Sequence, residues 1–327
     1  MTDNTIKLLI NKEDSGKRLD VMLAEKINDL TRSNIKKIIE SNNVNINEIT
    51  VNSPSKKIKE NDEIFIKLIV THNKEIKPSK IKLDIVYEDD DLLIVNKPVG
   101  MVVHPGAGNF EKTLVNALIY KYKNNLSNIN GNLRPGIVHR IDKETSGLLV
   151  VAKNNFSHSN LGKQFSDHTI ERKYLALVWG VIRPLNGRIE TLISRSKKNR
   201  QLMSVSEVNG KKAITNYKTL KVFNLKDVPR ISLLECKLET GRTHQIRVHM
   251  NYKKSSLIGD KQYGKKNIKF KKVDKSFEKK LSDLKGQALH ATTLGFIHPK
   301  KNKFISFKSN LSNEFQKLLD FLEKQTT

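Results

Sequence analysis

The 327-residue chain has a single cysteine, Cys236, which excludes an internal disulfide and any cluster of zinc-bound thiolates. It has no run of eighteen apolar residues, so no transmembrane helix is expected. Met1 to Ile6 lack a basic segment followed by an apolar one, so no signal peptide is expected either. These absences point to the cytoplasm. Several catalytic signatures are also missing. There is no Gly-x-x-x-x-Gly-Lys-Ser/Thr loop, no His-Glu-x-x-His, no Gly-x-Ser-x-Gly and no Asp-Phe-Gly. His244 and His249 are five apart, one too many for a helical metal pair. Gly106 and Gly108 suggest a dinucleotide loop, but Glu111 stands where its third glycine would be needed. Phosphate-loop, zinc-protease, serine-hydrolase, kinase and dinucleotide readings therefore fail. Acidic residues are scarce too: 34 against 60 Lys and Arg, for a formal charge of +26. Such a field attracts polyanions and speeds their association, which makes nucleic acid the expected partner.

The length allows two domains. Residues 1–70 read as a compact α+β unit. Ile6, Leu8 and Ile10 suggest a leading strand. Leu19, Met22, Leu23 and Ile27 form one helical face, and Ile35, Ile38 and Ile39 another, with Thr31 as the expected N-cap. Arg18, Arg32, Lys36 and Lys37 supply a basic face. Short strands are expected at Val44–Ile46, Ile49–Val51 and Asp62–Ile66. Residues 71–81 are polar and aperiodic, hence a linker, and residues 82–327 form the second domain.

In the second domain, Ile85–Tyr87 and Leu92–Val95 bracket Glu88-Asp-Asp-Asp91, which reads as a hairpin turn rather than a metal site. Thr113 to Tyr120 reads as a helix. Arg134-Pro-Gly-Ile-Val-His-Arg-Ile-Asp142 leads through a polar loop into Leu148–Ala152, a continuous apolar run of the kind found in strands covered on both faces. Such a loop, fixed by buried strand, is a usual place for chemistry. A helix is expected over Phe156–Phe165. The next strand, Glu171–Gly180, has Tyr174, Ala176 and Val178 on one face. Ile193–Arg200 reads as a basic loop, and strands follow at Gly210–Tyr217 and around Cys236, which alternates with Leu234 and Leu238 and should be buried. Gly241 breaks that strand, and Thr243 is placed to cap a short helix carrying Arg247. Residues 261–286 are a lysine-rich excursion. Late strand material at 287–298 precedes a helix with Phe315, Leu318, Leu319 and Leu322 on one face.

Asp142 lies between Arg140 and Lys143. A carboxylate amid cations is suited to act as a nucleophile or to stabilise an oxocarbenium-like sugar, and a structural ion pair is the alternative. Here a resemblance adds to the residues. Arg134–Lys153 resembles the signature of the RluA/RluD family of RNA pseudouridine synthases. The likeness continues through Ile94-Val-Asn-Lys-Pro-Val-Gly100, Val103–Gly108, Glu171-Arg-Lys-Tyr174, Thr240–Arg247 and Ala288-Leu-His-Ala291. The first unit resembles the S4 RNA-binding domain through Arg18-Leu-Asp20, Thr31-Arg-Ser33 and Asn61-Asp-Glu-Ile64, with Asn42, Glu48 and Asn61 where that family often has turn glycines. With an S4 unit attached, the likeness is to the D type acting on large-subunit (23S) ribosomal RNA.

The resemblance implies an S4-like domain followed by a catalytic domain with a mixed, mostly antiparallel sheet and flanking helices. It implies conversion of uridine to pseudouridine without metal or organic cofactor. The catalytic residues would be Asp142, Tyr174 and Arg247, with Arg242 as the other candidate for the arginine that pairs with the aspartate. His139, Arg140, Thr145, Arg242, His244 and Gln245 would contact substrate, with Arg140 filling the space left by a flipped base. The partner would be 23S rRNA or a precursor of the large subunit, and a monomer is the default. Transfer RNA or another rRNA site, and a non-catalytic S4-type assembly factor, stay open as alternatives.

Overall fold

The structure, a computed structural model, describes residues 5–27, 32–67, 76–106, 108–123, 125–129, 131, 133–264 and 275–325. Internal contacts divide the chain into residues 1–75 and 76–327.

The first unit contains β1 (Thr5–Leu9), α1 (Leu19–Lys26), α2 (Arg32–Glu40), β2 (Val44–Ile46), β3 (Ile49–Thr50) and β4 (Glu63–Lys67). The strands form one antiparallel sheet in the order β1-β4-β2-β3. Leu19, Met22, Leu23 and Ile27 of the first helical stripe and Ile35 and Ile39 of the second are buried with Val44 and Ile64, and Ile38 is partly buried against them. Thr31 lies outside the described residues. Ile46 pairs with Ile49, so Asn47 and Glu48 alone make the β2–β3 turn. Their φ values are 49° and 67°, as a two-residue primed turn requires. A left-handed glutamate costs on the order of 1 kcal/mol. The side chain of Asn47 helps fix the turn: its Nδ2 donates to Asp62 Oδ1 at 2.9 Å, and its Oδ1 accepts from Glu63 N at 2.8 Å.

The second unit contains β5 (Ile85–Glu88), β6 (Leu92–Lys97), α3 (Leu114–Tyr122), β7 (Ser146–Ala152), α4 (Asn155–Ser166) and β8 (Glu171–Trp179). These are followed by β9 (Asn186–Arg195), β10 (Met203–Ser206), β11 (Lys211–Phe223), β12 (Ile231–Leu238) and α5 (Gln245–Tyr252). The last elements are α6 (Lys275–Asp283), β13 (Leu289–Ile297), β14 (Phe304–Lys308) and α7 (Asn313–Gln325). The ten strands form one sheet, ordered β10-β9-β11-β12-β8-β13-β7-β6-β5, with β14 also on β13. Among its pairings only β7 with β13 is parallel. The fold is α+β, with a mixed, mostly antiparallel sheet. All seven residues of β7 are buried, as a strand covered on both faces requires. The two parities of β8 serve different cores: Tyr174, Ala176 and Val178 join one cluster, and Leu177 another with Leu175 and Trp179 packed on it. Cys236 is fully buried. On α7, Phe315, Leu318, Leu319 and Leu322 are buried.

Three expectations need correction. Ile193–Arg195 are not loop. They end β9, and the basic loop begins only after Arg195, before β10 returns antiparallel. The strand was hidden because its outward positions are charged: Arg188 and Glu190 pair with each other, and Arg188 also reaches Glu239. The lysine-rich stretch contains a helix, α6, whose Phe277 is buried and stacks on Phe321 with centroids 5.9 Å apart. Residues 265–274 of that stretch lie outside the described residues. Finally, Thr243 does not cap α5. The chain enters that helix through His244, whose φ is 57°, and Arg242 N donates to the Gln245 side chain at 3.0 Å.

The Asp-rich hairpin is a turn. Asp89 Oδ1 accepts from Asp91 N and Leu92 N, while Oδ2 takes the Tyr87 hydroxyl at 2.7 Å, Lys301 Nζ at 3.0 Å and the His298 ring at 2.8 Å. Asp91 accepts from Asn154 and Ser157. Ligand atoms of Asp89, Asp91 and His298 lie within 4.8 Å of one another. An ammonium already on Asp89 suits a tie between the hairpin and the end of β13.

Candidate active site

Asp142 sits in the turn before β7, and three bonds fix that turn. Thr145 N donates to Asp142 O at 3.1 Å, Gly100 N donates to Lys143 O at 2.8 Å, and Lys97 Nζ reaches the same carbonyl at 3.2 Å. Lys97 is fully buried, and its ammonium also donates to Pro98 O and Met101 O, both at 2.9 Å. Burial pushes this amine down to about 7, against the charge of Asp142, which favours the ammonium. Gly147 then starts the close packing of β7 on β13. Its φ is 112°, and a Cβ there would lie 2.3 Å from Ala291 O.

Opposite the turn, α5 presents Arg247. Its Nη1 lies 3.3 Å from Asp142 Oδ2. Its Nε and Nη2 grip Asp260 at 2.7 and 2.9 Å, and Nη2 also donates to Gln262 Oε1 at 2.8 Å. The Tyr263 ring lies 4.9 Å from the guanidinium, and its hydroxyl shares a 2.8 Å hydrogen bond with His244 Nδ1. Burial alone would lower the Arg247 pKa, but the bonds to Asp260 and the charges of Asp260 and Asp142 carry it above the ordinary value. Asp260 is likewise held below its ordinary value: desolvation opposes this, and Arg247 with the Tyr263 and Gln262 amides overcomes it. Tyr174 is 8% exposed, and burial pushes its phenol up. Asp142, Tyr174 and Arg247 line one cleft of about 290 Å³ with Leu238, Ile246 and Leu289. It offers a carboxylate, an aromatic face and apolar walls to a flat ring.

The other expected contacts divide. Arg140 is exposed at the cleft. His244 Nε2 lies 3.8 Å from Asp142 Oδ1, and desolvation lowers its pKa. Thr145 is buried at the cleft wall and accepts from Gln287 at 2.9 Å. Arg242 lines the cleft, but its Nε donates to Lys212 O at 2.8 Å, so Arg247 rather than Arg242 faces Asp142. Two residues are turned inward. His139 Nε2 accepts from Val150 N at 3.0 Å and its ring stacks on Phe165; burial lowers its pKa to about 3, so it stays neutral. Gln245 spends its amide on Thr240, Arg242 N, Ile214 O and Thr215, so it joins α5 to β11 rather than reaching for a ligand.

Asp260, Gln262, Tyr263 and Lys97 were not anticipated as site residues. The available signal was a lone aspartate between Gly259 and Gly264 in an otherwise basic stretch. In the first unit, Asp20 is bonded by Arg18 at 2.9 Å and Arg32 at 2.8 Å. These residues line a hollow with Lys36, Glu40, Pro54 and Ser55, while Lys37 is exposed.

An S4-type unit and a synthase sheet with one carboxylate in its cleft define the class, and comparison with known proteins agrees. The sequence profile of the S4 domain matches residues 17–64, and that of RNA pseudouridylate synthase matches residues 91–252. The human RNA pseudouridylate synthase domain containing 4 protein shares the fold, with a TM-score of 0.56 and 24% identity over 73% of this chain and 93% of that one. The chain belongs to the RNA pseudouridine synthase family. It is 44% identical to the ribosomal large subunit pseudouridine synthase D of Zymomonas mobilis, over 97% of this chain and 98% of that protein. It is 39% identical to the protein of the same name from Neisseria meningitidis serogroup B, over 98% and 83%. It is an RNA pseudouridine synthase. Among the described residues, no helix is long and apolar enough to cross a membrane.

Proposed function

We propose that this synthase isomerises uridines of large-subunit (23S) ribosomal RNA, as a cytoplasmic monomer without metal or organic cofactor, using Asp142 as nucleophile. The observation that carries the reading is the Asp142 carboxylate, 19% exposed in the cleft, with Arg247 Nη1 at 3.3 Å. The names of its relatives support the substrate.

The target uridine leaves its stack, at a cost of a few kcal/mol. Its base enters against Tyr174, Leu238 and Ile246. Arg140, exposed at the rim, fills the space the base vacates. Asp142 attacks C1′ as the N1–C1′ bond breaks, and the pair of electrons stays with the uracil. The base turns and C5 bonds to C1′ as the carboxylate leaves. C5 then gives up its proton and N1 gains one, so the sum is an isomerisation. Arg247 orients the carboxylate throughout.

A 23S rRNA transcript carrying tritium at uridine C5 tests this. The protein should release tritium without free uracil or strand breaks, and Asp142→Ala should bind the transcript yet release none. Full release by Asp142→Ala would overturn the mechanism, and release from transfer RNA alone would overturn the substrate.

A further inference from the structure

Among the described residues, Arg172 is the less compensated of the two buried arginines that line the cleft. It is 7% exposed, on β8 two residues before Tyr174 and of the same parity. Among the described residues its guanidinium has one acceptor, the Glu239 carbonyl, 3.0 Å from Nη2. Its Nε is buried with no partner. No carboxylate of the described residues lies within ion-pair distance, whereas Arg247 in the same cleft has two. An uncompensated buried charge costs several kcal/mol, which an anionic ligand would offset.

The surroundings suit such a ligand. Gly241 makes room for the guanidinium, since a Cβ there would lie 2.6 Å from Nη1. Phe165 backs it at 5.6 Å and is itself stacked on His139 at 4.5 Å. Arg242 and His168 line the same cleft, and among the described residues Asp142, already facing Arg247, is the sole carboxylate in the lining. Desolvation lowers the pKa of Arg172; Tyr174 opposes this, the charge of Arg242 adds to it, and a bound anion would raise it. Along β8, Arg172 and Tyr174 are separated by roughly 7 Å. That is comparable to the distance from a base to a phosphate of its own nucleotide.

We propose that Arg172, with Arg242 at the rim, binds a backbone phosphate of the RNA strand next to the uridine held at Tyr174. The proposal rests on the reading of the cleft as a uridine site. Arginine suits the task because its planar fork matches two phosphate oxygens at once. The phosphate would position the strand, and the cleft around Asp142 would receive the base.

The test uses the full chain, single-stranded decauridylate as ligand, and uridine, uridine 3′-monophosphate and uridine 5′-monophosphate as competitors. In the wild type one monophosphate should displace decauridylate about tenfold better than uridine, the worth of one charge-assisted contact of roughly 1.5 kcal/mol. Arg172→Gln should erase that advantage and reduce the slope of log affinity against log salt by about 0.7, the value for one phosphate on a single strand. Arg172→Lys should keep most of both. No advantage of either monophosphate in the wild type would overturn the proposal even if Arg172→Gln failed to fold. So would an unchanged advantage, or an unchanged slope, in a folded Arg172→Gln. Tritium release reports on the catalytic reading separately. A wild type that releases none yet prefers a monophosphate through Arg172 would sink that reading and leave the phosphate site standing.

Discussion

Arg247 belongs to Asp260 before it is shared with Asp142. Two short bonds, 2.7 and 2.9 Å, join it to a carboxylate with no solvent exposure, against a single contact of 3.3 Å to Asp142. Asp260 is anchored in turn by the Gln262 and Tyr263 amides, each at 3.0 Å. The guanidinium is thus fixed from behind and presents one edge to the cleft.

Asp260→Ala should therefore injure both folding and catalysis. It leaves a buried guanidinium half-paired, which costs about 3–5 kcal/mol. Urea unfolding should show that loss. Tritium release should fall about a hundredfold, the equivalent of roughly 2.7 kcal/mol in the barrier. Activity within a factor of two of wild type would show that Arg247 needs no such anchor.

Lys97→Met should leave three backbone carbonyls without their shared donor, of which Lys143 O keeps Gly100 N. Pro98, Met101 and Lys143 all accept from Nζ, and Lys143 follows Asp142 directly. A loss of about 2 kcal/mol is expected in urea, since an acceptor cut off from both its donor and water costs roughly 1–3 kcal/mol and the more open of these carbonyls relax toward water. For tritium release, kcat should fall and KM change little, because the carboxylate is displaced while the cleft walls remain.

Gly147→Ala should separate β13 from β7. The new methyl would meet Ala291 O, N and C at 2.3, 2.5 and 2.7 Å, all backbone atoms. Overpacking and a strained positive φ together cost about 3 kcal/mol. A lowered melting temperature and an activity loss beyond tenfold are expected. A variant that melts like the wild type would contradict this packing.

The first unit should lose stability in acid through Asp20. Its bond to Arg18, then that to Arg32, hold its carboxyl down to about 2, whereas an unfolded aspartate titrates at about 3.9. The folded pKa is the lower one, so the stabilisation is present above about pH 4 and is lost as pH falls toward 2. The two arginines are half exposed, at 48% and 57%, so screening reduces the gain to about 1 kcal/mol. Hydrogen exchange resolved to α1 and α2 should show Asp20→Asn less protected than wild type at pH 6 and equal to it near pH 2.

Much of this was legible because it depends on local pattern. The unbroken apolar run Leu148–Ala152 marked a strand covered on both faces, the alternation in Glu171–Trp179 placed Tyr174 on one face with Ala176 and Val178, and the spacing of Phe315, Leu318, Leu319 and Leu322 marked the packed face of α7. β9 was illegible for the complementary reason: its outward charges are paired across strands, and those partners are distant in sequence.

Alone, the sequence determined that a cation-flanked aspartate stands in a loop before a buried strand, that the chain carries an RNA-sized positive charge, and that metal-protease, phosphate-loop and kinase motifs are absent. Only the tertiary structure decided which arginine meets that aspartate. Arg242 and Arg247 are both cations near the start of one helix, but α5 begins at Gln245 and turns Arg247 alone toward a residue 105 positions away. It also decided that Lys97, Arg172 and Asp260 are buried. Whether a charged side chain is buried depends on what packs over it, and that is set by contacts remote along the chain.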